Sequence, residues 1–362
     1  MPNHREGKRV VIGLSGGVDS AVAALLLKEQ GYDVVGLFLR NWKEEDECGR
    51  CTADEDFSDV RRVADKIGIP YYAEDFSEKY LDRVFKHFVE EYKKGRTPNP
   101  DVLCNREIKF DAFAAFARAL DADFVATGHY AAVSHGERHR LLRSADENKD
   151  QTYFLNQVTE EQLSTALFPL GDLKKGEVRE IAKKAGLPVW EKKDSTGICF
   201  IGERNFRKFL AEYIPMKKGE IVTEKGEVVG EHEGVYYYTV GQRKGLGVGG
   251  GGTGEPWFVV EKDVVRNRLI VTQGETDRLF SSALTVEKFH FIADRLPEGK
   301  HELLCRVRHR QPLQKATAFV TGDRVEILFD KPQRAIAEGQ YAVLYDDRVC
   351  LGGGVIENKK PL

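Results

Sequence analysis

Two kinds of chemically capable residues stand out in this 362-residue sequence: a glycine-rich run near the start and cysteines within polar motifs. The run follows an apolar, strand-like segment and precedes an alanine- and leucine-rich helical segment. Small residues let backbone N–H groups approach anionic oxygens, and the helix directs the positive end of its dipole at the same point. The pattern therefore predicts a phosphate-binding loop made of Gly13, Leu14, Ser15, Gly16, Gly17, Val18, Asp19 and Ser20.

The composition of this glycine-rich loop (residues 13–20) restricts its phosphate chemistry. A Walker loop has a lysine that reaches the terminal phosphates, whereas this loop has none and carries Asp19, which could hold a cation. It suits pyrophosphate as a leaving group better than a transferred γ-phosphate. The run S-G-G-V-D-S resembles the PP-loop of ATP pyrophosphatases, which split ATP between its α and β phosphates and place AMP on an acceptor oxygen. The alternative is a purely structural helix start.

Two cysteines lie in motifs that could support thiol chemistry. Cys104 follows a loop with two prolines, and Asp101 precedes it by three residues, so a rigid loop could present both groups. Cys199 lies in K-K-D-S-T-G-I-C-F-I-G, where neighbouring lysines would stabilise a thiolate or a persulfide. From composition alone, two unrelated buried cysteines are the simpler interpretation. The pair gains meaning only beside the phosphate loop.

The composition is that of an ordinary globular protein. Of all residues 41% are hydrophobic and 31% are charged, and the net charge of -3 gives no overall attraction to nucleic acid. The start lacks the apolar core of a signal peptide, and no apolar run approaches the roughly 20 residues of a membrane helix. Six cysteines are too sparse for a secreted disulfide framework. We therefore expect a cytoplasmic protein without membrane contact.

The elements that must position these residues begin with a predicted α/β domain over residues 1–210. Apolar strands at 9–14, 34–39, 70–74 and 124–127 alternate with helical segments, which predicts a doubly wound parallel sheet whose ligand lies beyond the strand ends. Glycine-punctuated runs at 234–240, 256–260 and 268–272 predict a small β-rich central domain over residues 211–280. The alternation continues over residues 281–362 and predicts a C-terminal β-barrel.

Seven ordered motifs span nearly the whole chain. Together they resemble the bacterial tRNA-specific 2-thiouridylases, members of the PP-loop superfamily whose catalytic domain is adenine nucleotide α-hydrolase-like. The motifs are G-L-S-G-G-V-D-S (13–20), G-R-T-P-N-P-D-V-L-C-N-R-E-I-K-F (95–110), A-T-G-H-Y (126–130), N-K-D-Q-T-Y-F-L (148–155), D-S-T-G-I-C-F-I-G-E-R (194–204), G-Q-R-K-G-L-G (241–247) and C-L-G-G-G-V-I (350–356).

This resemblance implies a reaction and roles for particular residues. ATP with Mg²⁺ would occupy the glycine-rich loop, with Leu39 near the adenine and Gly128 at the next strand end. Adenylation would activate the C2 oxygen of the wobble uridine, at position 34 of tRNA, and release pyrophosphate and then AMP. Cys199 would carry the sulfur as a persulfide and Cys104 would be the nucleophile that releases it, with a disulfide between them as one end point. Asp101 would act as the nearby acid or base, or simply form an Asx turn.

The resemblance also implies partners. The substrate would be a tRNA of the Lys, Glu or Gln type, and a cysteine desulfurase or a sulfur-relay protein would donate the sulfur. The arginines at 306, 308 and 310 alternate, so in a strand they would share one face and could follow phosphates. The predicted tRNA contacts are Asn99, Pro100, Asp101, His129, Lys149, Asp150, Gln151, Arg308, His309 and Gln340.

Three alternatives remain open at this point. Another adenylating PP-loop ligase, of the argininosuccinate or guanylate synthetase kind, would not need the two cysteines. A variant of the thiolation reaction would have Cys104, Cys199 and Asp101 hold an iron–sulfur cluster. A noncatalytic RNA-binding protein could use a degenerate nucleotide domain as a scaffold, although an intact loop and both cysteines argue against it.

Two departures from the family pattern affect the site. Ala21 follows the loop where the family often has a second serine, which removes one possible hydrogen bond to phosphate. Cys51 matches a family cysteine, whereas Cys48 is additional and completes a C-x-x-C motif. One such pair cannot fill a four-ligand zinc site, so we expect no metal site beyond the Mg²⁺ that accompanies ATP.

Overall fold

The computed structural model describes residues 7–42, 52–194, 206–249 and 253–362. Its N-terminal part is built on a five-stranded parallel sheet with the order β3-β2-β1-β4-β7. Buried valine, isoleucine and leucine fill the central strands, as both faces of such a sheet are covered. The strands are β1 (Arg9–Leu14), β2 (Asp33–Arg40), β3 (Tyr71–Asp75), β4 (Phe124–Ala126) and β7 (Ala166–Leu167).

Helices cover both faces of this sheet, which confirms the doubly wound α/β prediction. One hydrophobic core lies beneath α1, α2 and α8, and the other beneath the helices between residues 77 and 119. The α-helices are α1 (Val18–Glu29), α2 (Thr52–Ile67), α3 (Ser77–Tyr80), α4 (Lys86–Lys93), α5 (Pro100–Leu103), α6 (Phe113–Ala119), α7 (Glu160–Ser164), α8 (Lys175–Lys184) and α9 (Phe206–Ala211). Two π-helices, Leu81–Phe85 and Cys104–Ala112, and a 3₁₀ turn, Thr152–Leu155, complete this part.

The central part is a four-stranded sheet with the order β10-β11-β8-β9. Its strands are β8 (Gly219–Thr223), β9 (Val228–His232), β10 (Trp257–Asp263) and β11 (Arg268–Gln273). The predicted strand at 234–240 is wrong, because the structure has a 3₁₀ turn there, Val235–Tyr237. The run is apolar because Val235, Tyr237 and Tyr238 are buried, and burial alone does not distinguish a strand from a packed turn.

The C-terminal part is a closed six-stranded barrel with the order β12-β16-β15-β14-β17-β18, in which β12 also pairs with β18. A 3₁₀ turn, Asp277–Leu279, precedes it. The strands are β12 (Phe280–Val286), β14 (Gly299–Arg306), β15 (Gln314–Thr321), β16 (Arg324–Arg334), β17 (Tyr341–Asp346) and β18 (Val349–Pro361), with a short β13 (His290–Phe291) on β18.

The barrel is extended by a hairpin from the N-terminal part of the chain. Strands β5 (Ala131–His135) and β6 (His139–Arg143) pair with each other, and β6 pairs with β18 through Leu141 and Leu142. The chain leaves the parallel sheet at β4, joins the barrel sheet, and returns to the parallel sheet at β7. Among the residues described, no helix combines the length and the apolar character that crossing a membrane requires.

Candidate active site

The glycine-rich loop connects β1 to α1 in the conformation that a phosphate loop needs. Gly16 has a positive φ of 73°, and a Cβ built there would lie 2.7 Å from the backbone oxygen of Asp56, so only glycine fits. Gly17 is the N-cap of α1 and has no side chain to satisfy the first N–H groups of the helix. The Ser20 hydroxyl accepts from the Ser15 backbone N–H at 3.2 Å and fixes the turn. The first turn of α1 therefore leaves backbone donors for an anion.

Gly128 brings the end of β4 against this loop. A Cβ at Gly128 would lie 2.7 Å from the backbone nitrogen of Ser20 and 2.9 Å from the carbonyl carbon of Asp19. Leu39, at the end of β2, packs near Gly13 on the neighbouring strand, as a Cβ built at Gly13 would lie 3.6 Å from the Leu39 methyl carbon. The structure thus brings together the residues that are predicted to bind ATP, at the carboxyl ends of three neighbouring parallel strands.

Asp19 is held by a lysine from a distant part of the chain. The Nζ of Lys175, in the first turn of α8, lies 2.7 Å from Oδ1 and 2.8 Å from Oδ2 of Asp19. The hydroxyl of Tyr130 donates to the same carboxylate at 2.9 Å. Burial, followed by the charge of Asp19, raises the pKa of Tyr130 well above its ordinary value, so this hydroxyl keeps its proton. The fold therefore places a lysine from α8 beside the loop, which has no lysine of its own.

Asp194 connects this pair to further cations. Its carboxylate contacts Lys175 at 2.8 Å, Lys149 at 2.6 Å and Arg179 at 2.7 Å. Burial acts to raise the pKa of Asp194, but the hydrogen bonds from Lys149 and Lys175 outweigh it and hold that pKa well below its ordinary value. Lys175 and Arg179 are site residues that sequence reasoning missed. The K-K-G-E-V-R run at 174–179 was the available signal, but its spacing alone is typical of a surface helix.

A second lysine near the loop is neutralised in the same way. Lys192 donates to Asp56 at 2.7 Å and to Asp59 at 2.6 Å, and both carboxylates belong to α2. Asp56 is also the residue whose backbone oxygen approaches Gly16. Two lysines near the loop, Lys175 and Lys192, are therefore each paired with carboxylates.

Cys104 lies where a short α-helix changes into a π-helix. Asn99 caps α5, since its side-chain oxygen accepts from the Asp101 backbone N–H at 3.2 Å, and Pro100 occupies the first turn. The π-helix Cys104–Ala112 begins at the cysteine, which is 2% exposed, while Asp101 is partly exposed. π-Helical segments are rare and often mark functional sites. Cys199, Cys48 and Cys51 lie outside the described residues, so the predicted pairing of Cys104 with Cys199 stays a prediction.

His129 follows Gly128 and is buried against the π-helix. Its Nδ1 lies 2.8 Å from the Thr127 hydroxyl oxygen, and the Lys109 Nζ lies 3.5 Å from its Nε2. Burial, and then the charge of Lys109, lowers the pKa of His129 well below its ordinary value. A neutral ring that accepts from Lys109 at Nε2 carries its proton on Nδ1 and donates it to Thr127. Lys109 is a third residue that sequence reasoning did not assign.

Several residues that are predicted to contact tRNA form hydrogen bonds or ion pairs within the protein. Asp150 is 1% exposed, and its carboxylate pairs at 2.9 Å with Arg306, which is also buried. In this structure neither side chain is presented to a ligand. Gln151 accepts from the Tyr130 backbone N–H at 2.9 Å, and Lys149 is partly exposed beside Asp194.

The prediction that three alternating arginines share a strand face is wrong. Strand β14 ends at Arg306, and Arg310 has a positive φ of 63°, as a turn residue has. Arg308 is only partly exposed and donates to the backbone oxygens of Val240, from the central part, and Ala335, from the barrel. Alternation in sequence places side chains on one face only while the strand continues, and this strand stops at the first of the three.

The remaining residues predicted to contact tRNA lie where the barrel meets the N-terminal part. The side chain of Gln340 donates to the Thr97 backbone oxygen at 2.8 Å and accepts from the Tyr153 hydroxyl at 3.2 Å. A small cavity beside it is lined by Asn99 and Pro100 together with Leu103 and Tyr341. His309 packs on Phe154 with ring centroids 4.4 Å apart. The structure thus brings Gln340 close to the loop that contains Asn99, Pro100 and Asp101.

The fold and the glycine-rich loop place the chain in the class of three-part proteins that begin with a HUP domain. Residues 8–203 match the model of the tRNA methyl transferase HUP domain, residues 207–273 that of the tRNA methyl transferase PRC-barrel domain, and residues 281–356 that of the aminomethyltransferase beta-barrel domain. Curated relatives then narrow this class, and the chain belongs to the tRNA-specific 2-thiouridylase family.

Similarity to these relatives extends along nearly the whole chain. The tRNA-specific 2-thiouridylase MnmA of Alkaliphilus oremlandii is 57% identical over 96% of this chain and 97% of its own length. The protein of the same name from Streptococcus uberis is 56% identical over 96% of this chain and 95% of its own length. The resemblance drawn from the seven motifs is therefore confirmed.

Solved structures with similar folds are more distant. The U34-tRNA thiolase NcsA of Methanococcus maripaludis, with its [4Fe-4S] cluster, is 18% identical over 57% of this chain and 65% of its own, with a TM-score of 0.35. A 4-thiouridine synthetase in complex with RNA and ATP is 16% identical over 58% of this chain and 51% of its own, also with a TM-score of 0.35. Likenesses this weak carry no argument about the reaction.

Proposed function

We propose that this protein catalyses the ATP-dependent 2-thiolation of the wobble uridine, position 34, of tRNA, and releases AMP and pyrophosphate. The observation that carries the proposal is the end-to-end similarity to tRNA-specific 2-thiouridylases, together with an intact glycine-rich loop at the sheet edge. A C–N ligase would share the loop, but it would have no need for Cys104 and Cys199.

ATP binds with its phosphates on the glycine-rich loop, with Leu39 near the adenine and Gly128 beside the α-phosphate. The backbone N–H groups at the start of α1 bind anionic oxygens, and Lys175 reaches the phosphates from α8. Asp19 is the carboxylate in the loop that would hold Mg²⁺, because hard cations prefer oxygen ligands. The ion would take the place of the Lys175 ammonium group that contacts both of its oxygens, which would leave that lysine to the phosphates. The ion would neutralise phosphate charge when bound.

Adenylation converts a poor leaving group into a good one. The O2 oxygen of the uridine attacks the α-phosphorus, so that an O2–P bond forms, the bond to pyrophosphate breaks, and N3 loses its proton. The oxygen on C2 is then part of a phosphoryl ester and can leave as AMP. A loop without a γ-phosphate lysine of its own suits this cleavage.

Sulfur transfer uses the two cysteines in turn. The terminal sulfur of a persulfide on Cys199 attacks C2; the C2–S bond forms, the C2–O2 bond breaks, and AMP leaves with the bonding electrons. The Cys104 thiolate then attacks the Cys199 sulfur, which forms a disulfide, leaves sulfur on C2, and lets N3 regain a proton. A dithiol reductant restores both thiols. Asp101 acts as the acid or base for Cys104, three residues away in the chain.

The substrate is a tRNA of the Lys, Glu or Gln type, bound across the catalytic part and the barrel. Asn99 and Pro100 line a small cavity at this junction, and Gln340 donates to Thr97 in the same loop. Gln151 accepts from Tyr130, the neighbour of His129, and His309 packs on Phe154. A cysteine desulfurase or a sulfur-relay protein loads Cys199. We place the reaction in the cytoplasm, where tRNA and ATP are available.

The test is an anaerobic reaction of the full-length protein with ATP, Mg²⁺, a persulfide donor and unmodified tRNA. Digested nucleosides are assayed for 2-thiouridine, and pyrophosphate is measured in parallel. We expect product from the wild type and a loss of at least about 10³-fold in Cys104→Ser and Cys199→Ser, because each removes a nucleophile. Cys305→Ala is the matched control, since burial raises the pKa of that barrel thiol and keeps it inert.

Two outcomes would favour the alternatives. Pyrophosphate release without thiouridine from any donor would support another adenylating ligase. Iron and acid-labile sulfide in the active protein, both lost in Cys104→Ser, would support the cluster variant. Equal activity of the cysteine variants and the wild type would contradict the two-cysteine reaction.

A further inference from the structure

We propose that Lys109 is a catalytic residue that binds the α-phosphate of ATP and of the departing AMP. The inference rests on the proposed function and adds a residue to that site. Lys109 belongs to the π-helix that begins at Cys104, and it lies five residues after the cysteine. Five residues is the hydrogen-bond spacing of a π-helix, so Lys109 is one turn beyond Cys104.

Lys109 contacts His129, a residue close to the glycine-rich loop. Its Nζ lies 3.5 Å from Nε2 of His129, and His129 directly follows Gly128. Gly128 in turn touches the backbone of Asp19 and Ser20 in the glycine-rich loop. The Lys109 ammonium group therefore lies beside the residue that follows Gly128, the glycine in contact with the glycine-rich loop.

Among the residues that the structure describes, no carboxylate forms an ion pair with Lys109. Three other lysines each have an acidic partner: Lys175 pairs with Asp19 and Asp194, Lys149 pairs with Asp194, and Lys192 pairs with Asp56 and Asp59. Within the described part of the chain, Lys109 forms no ion pair, and its hydrogen bond is to the neutral ring of His129.

This difference determines which lysine is available to an arriving anion. Lys175, Lys149 and Lys192 must each weaken an ion pair to bind a phosphate, whereas Lys109 gives up only a long hydrogen bond to an imidazole. Its side chain is partly exposed, and the rings of Phe110 and Phe168 pack around His129, which lowers the local polarity. A cation in such surroundings stabilises a neighbouring negative charge strongly.

Both bond changes of the proposed reaction place charge at the α-phosphate. When O2 attacks, negative charge is spread over the non-bridging oxygens while the bond to pyrophosphate breaks. When sulfur attacks C2, the C2–O2 bond breaks and AMP takes the bonding electrons. A lysine at this point acts on both steps, and it belongs to the π-helix that begins at Cys104.

The experiment compares the wild type, Lys109→Gln and Lys109→Arg in tRNA-dependent pyrophosphate release and thiouridine formation. We expect kcat for pyrophosphate release to fall about 10²- to 10³-fold in Lys109→Gln, with partial recovery in Lys109→Arg. The KM for ATP, the Kd for tRNA and the melting temperature should change little. Lys86→Gln, which removes an exposed lysine that pairs with Asp82, is the matched control and should keep wild-type kcat.

The other outcomes overturn this inference in distinct ways. If kcat of Lys109→Gln stays within about threefold of the wild type, Lys109 is not catalytic. If its main effect is a weaker Kd for tRNA with a smaller salt dependence, Lys109 binds a phosphate of the RNA backbone instead. If Arg and Gln lower the melting temperature and kcat alike, its role is structural. A wild-type protein that forms no thiouridine would contradict the proposed function itself.

Discussion

At the scale of single residues, the proposed nucleotide site contains a cluster of paired charges. Asp19 and Asp194 share Lys175, and Asp194 also contacts Lys149 and Arg179. Partly buried carboxylates and ammonium groups need such partners because desolvation disfavours an unpaired charge. Two carboxylates thus meet three cations, so this cluster keeps one positive charge in excess before a phosphate arrives, and Lys109 stands outside it.

His309 gives a prediction at the same scale. Burial, and then the charges of Arg310 and Arg306, lowers its pKa from 6.5 to about 4, while Asp150 acts in the opposite direction. Above pH 6.5 the ring is neutral in both folded and unfolded states and contributes nothing. Between pH 6.5 and 4 the unfolded chain takes up a proton that the folded chain refuses, so acidification destabilises the fold.

The measurement is urea unfolding of the wild type and His309→Gln at pH 7.5 and pH 4.5. Carboxylates titrate in both proteins, so the difference between the two losses isolates His309. We expect the wild type to lose roughly 1–2 kcal/mol more than His309→Gln, a value reduced from the full shift because the ring is partly exposed. Equal losses would show that His309 has an ordinary pKa.

At the scale of elements, the site depends on close contact between β4 and the start of α1. The atoms nearest to a Cβ at Gly128 are backbone atoms of Ser20 and Asp19, and backbone cannot move aside as a flexible side chain can. This contact sets the distance between the glycine-rich loop and His129. Because Lys109 contacts His129, it also sets the distance between the loop and Lys109.

Gly128→Ala should therefore damage the site. We expect a loss of about 1–3 kcal/mol in unfolding free energy from overpacking, and a KM for ATP raised at least about tenfold as the loop is displaced. Gly136→Ala is the matched control, because a Cβ there meets nothing within 4 Å. Thermal unfolding and ATP titration of both variants measure the effect. A KM in Gly128→Ala within twofold of the wild type would contradict this account of the contact.

The elements also show what the sequence could and could not predict. Strand β1 and the glycine-rich loop follow from apolar runs and small residues, because these patterns are local. The contact between Asp19 and Lys175 joins residues 156 positions apart and leaves no local pattern. The π-helix at Cys104 and the end of β14 at Arg306 depend on packing against other parts of the fold, so periodicity did not predict them.

At the scale of the whole molecule, the three parts are joined by specific contacts. The hairpin of β5 and β6 adds to the barrel sheet, and Arg308 links the central part to the barrel. The backbone N–H of Thr97 donates to the oxygen of Glu338 at 2.9 Å, which joins the barrel to the loop before Cys104. These contacts fix a surface that extends from the barrel to the N-terminal part, and we propose that tRNA lies on this surface.

In the proposed reaction, ATP adenylates the C2 oxygen of the wobble uridine. The most direct measurement uses tRNA whose wobble uridine carries ¹⁸O at O2, with ATP, Mg²⁺ and a persulfide donor, and analyses the released AMP by mass spectrometry. Our account predicts one ¹⁸O atom in each AMP molecule and one sulfur on each product uridine. AMP without the label, formed while thiouridine accumulates, would contradict it.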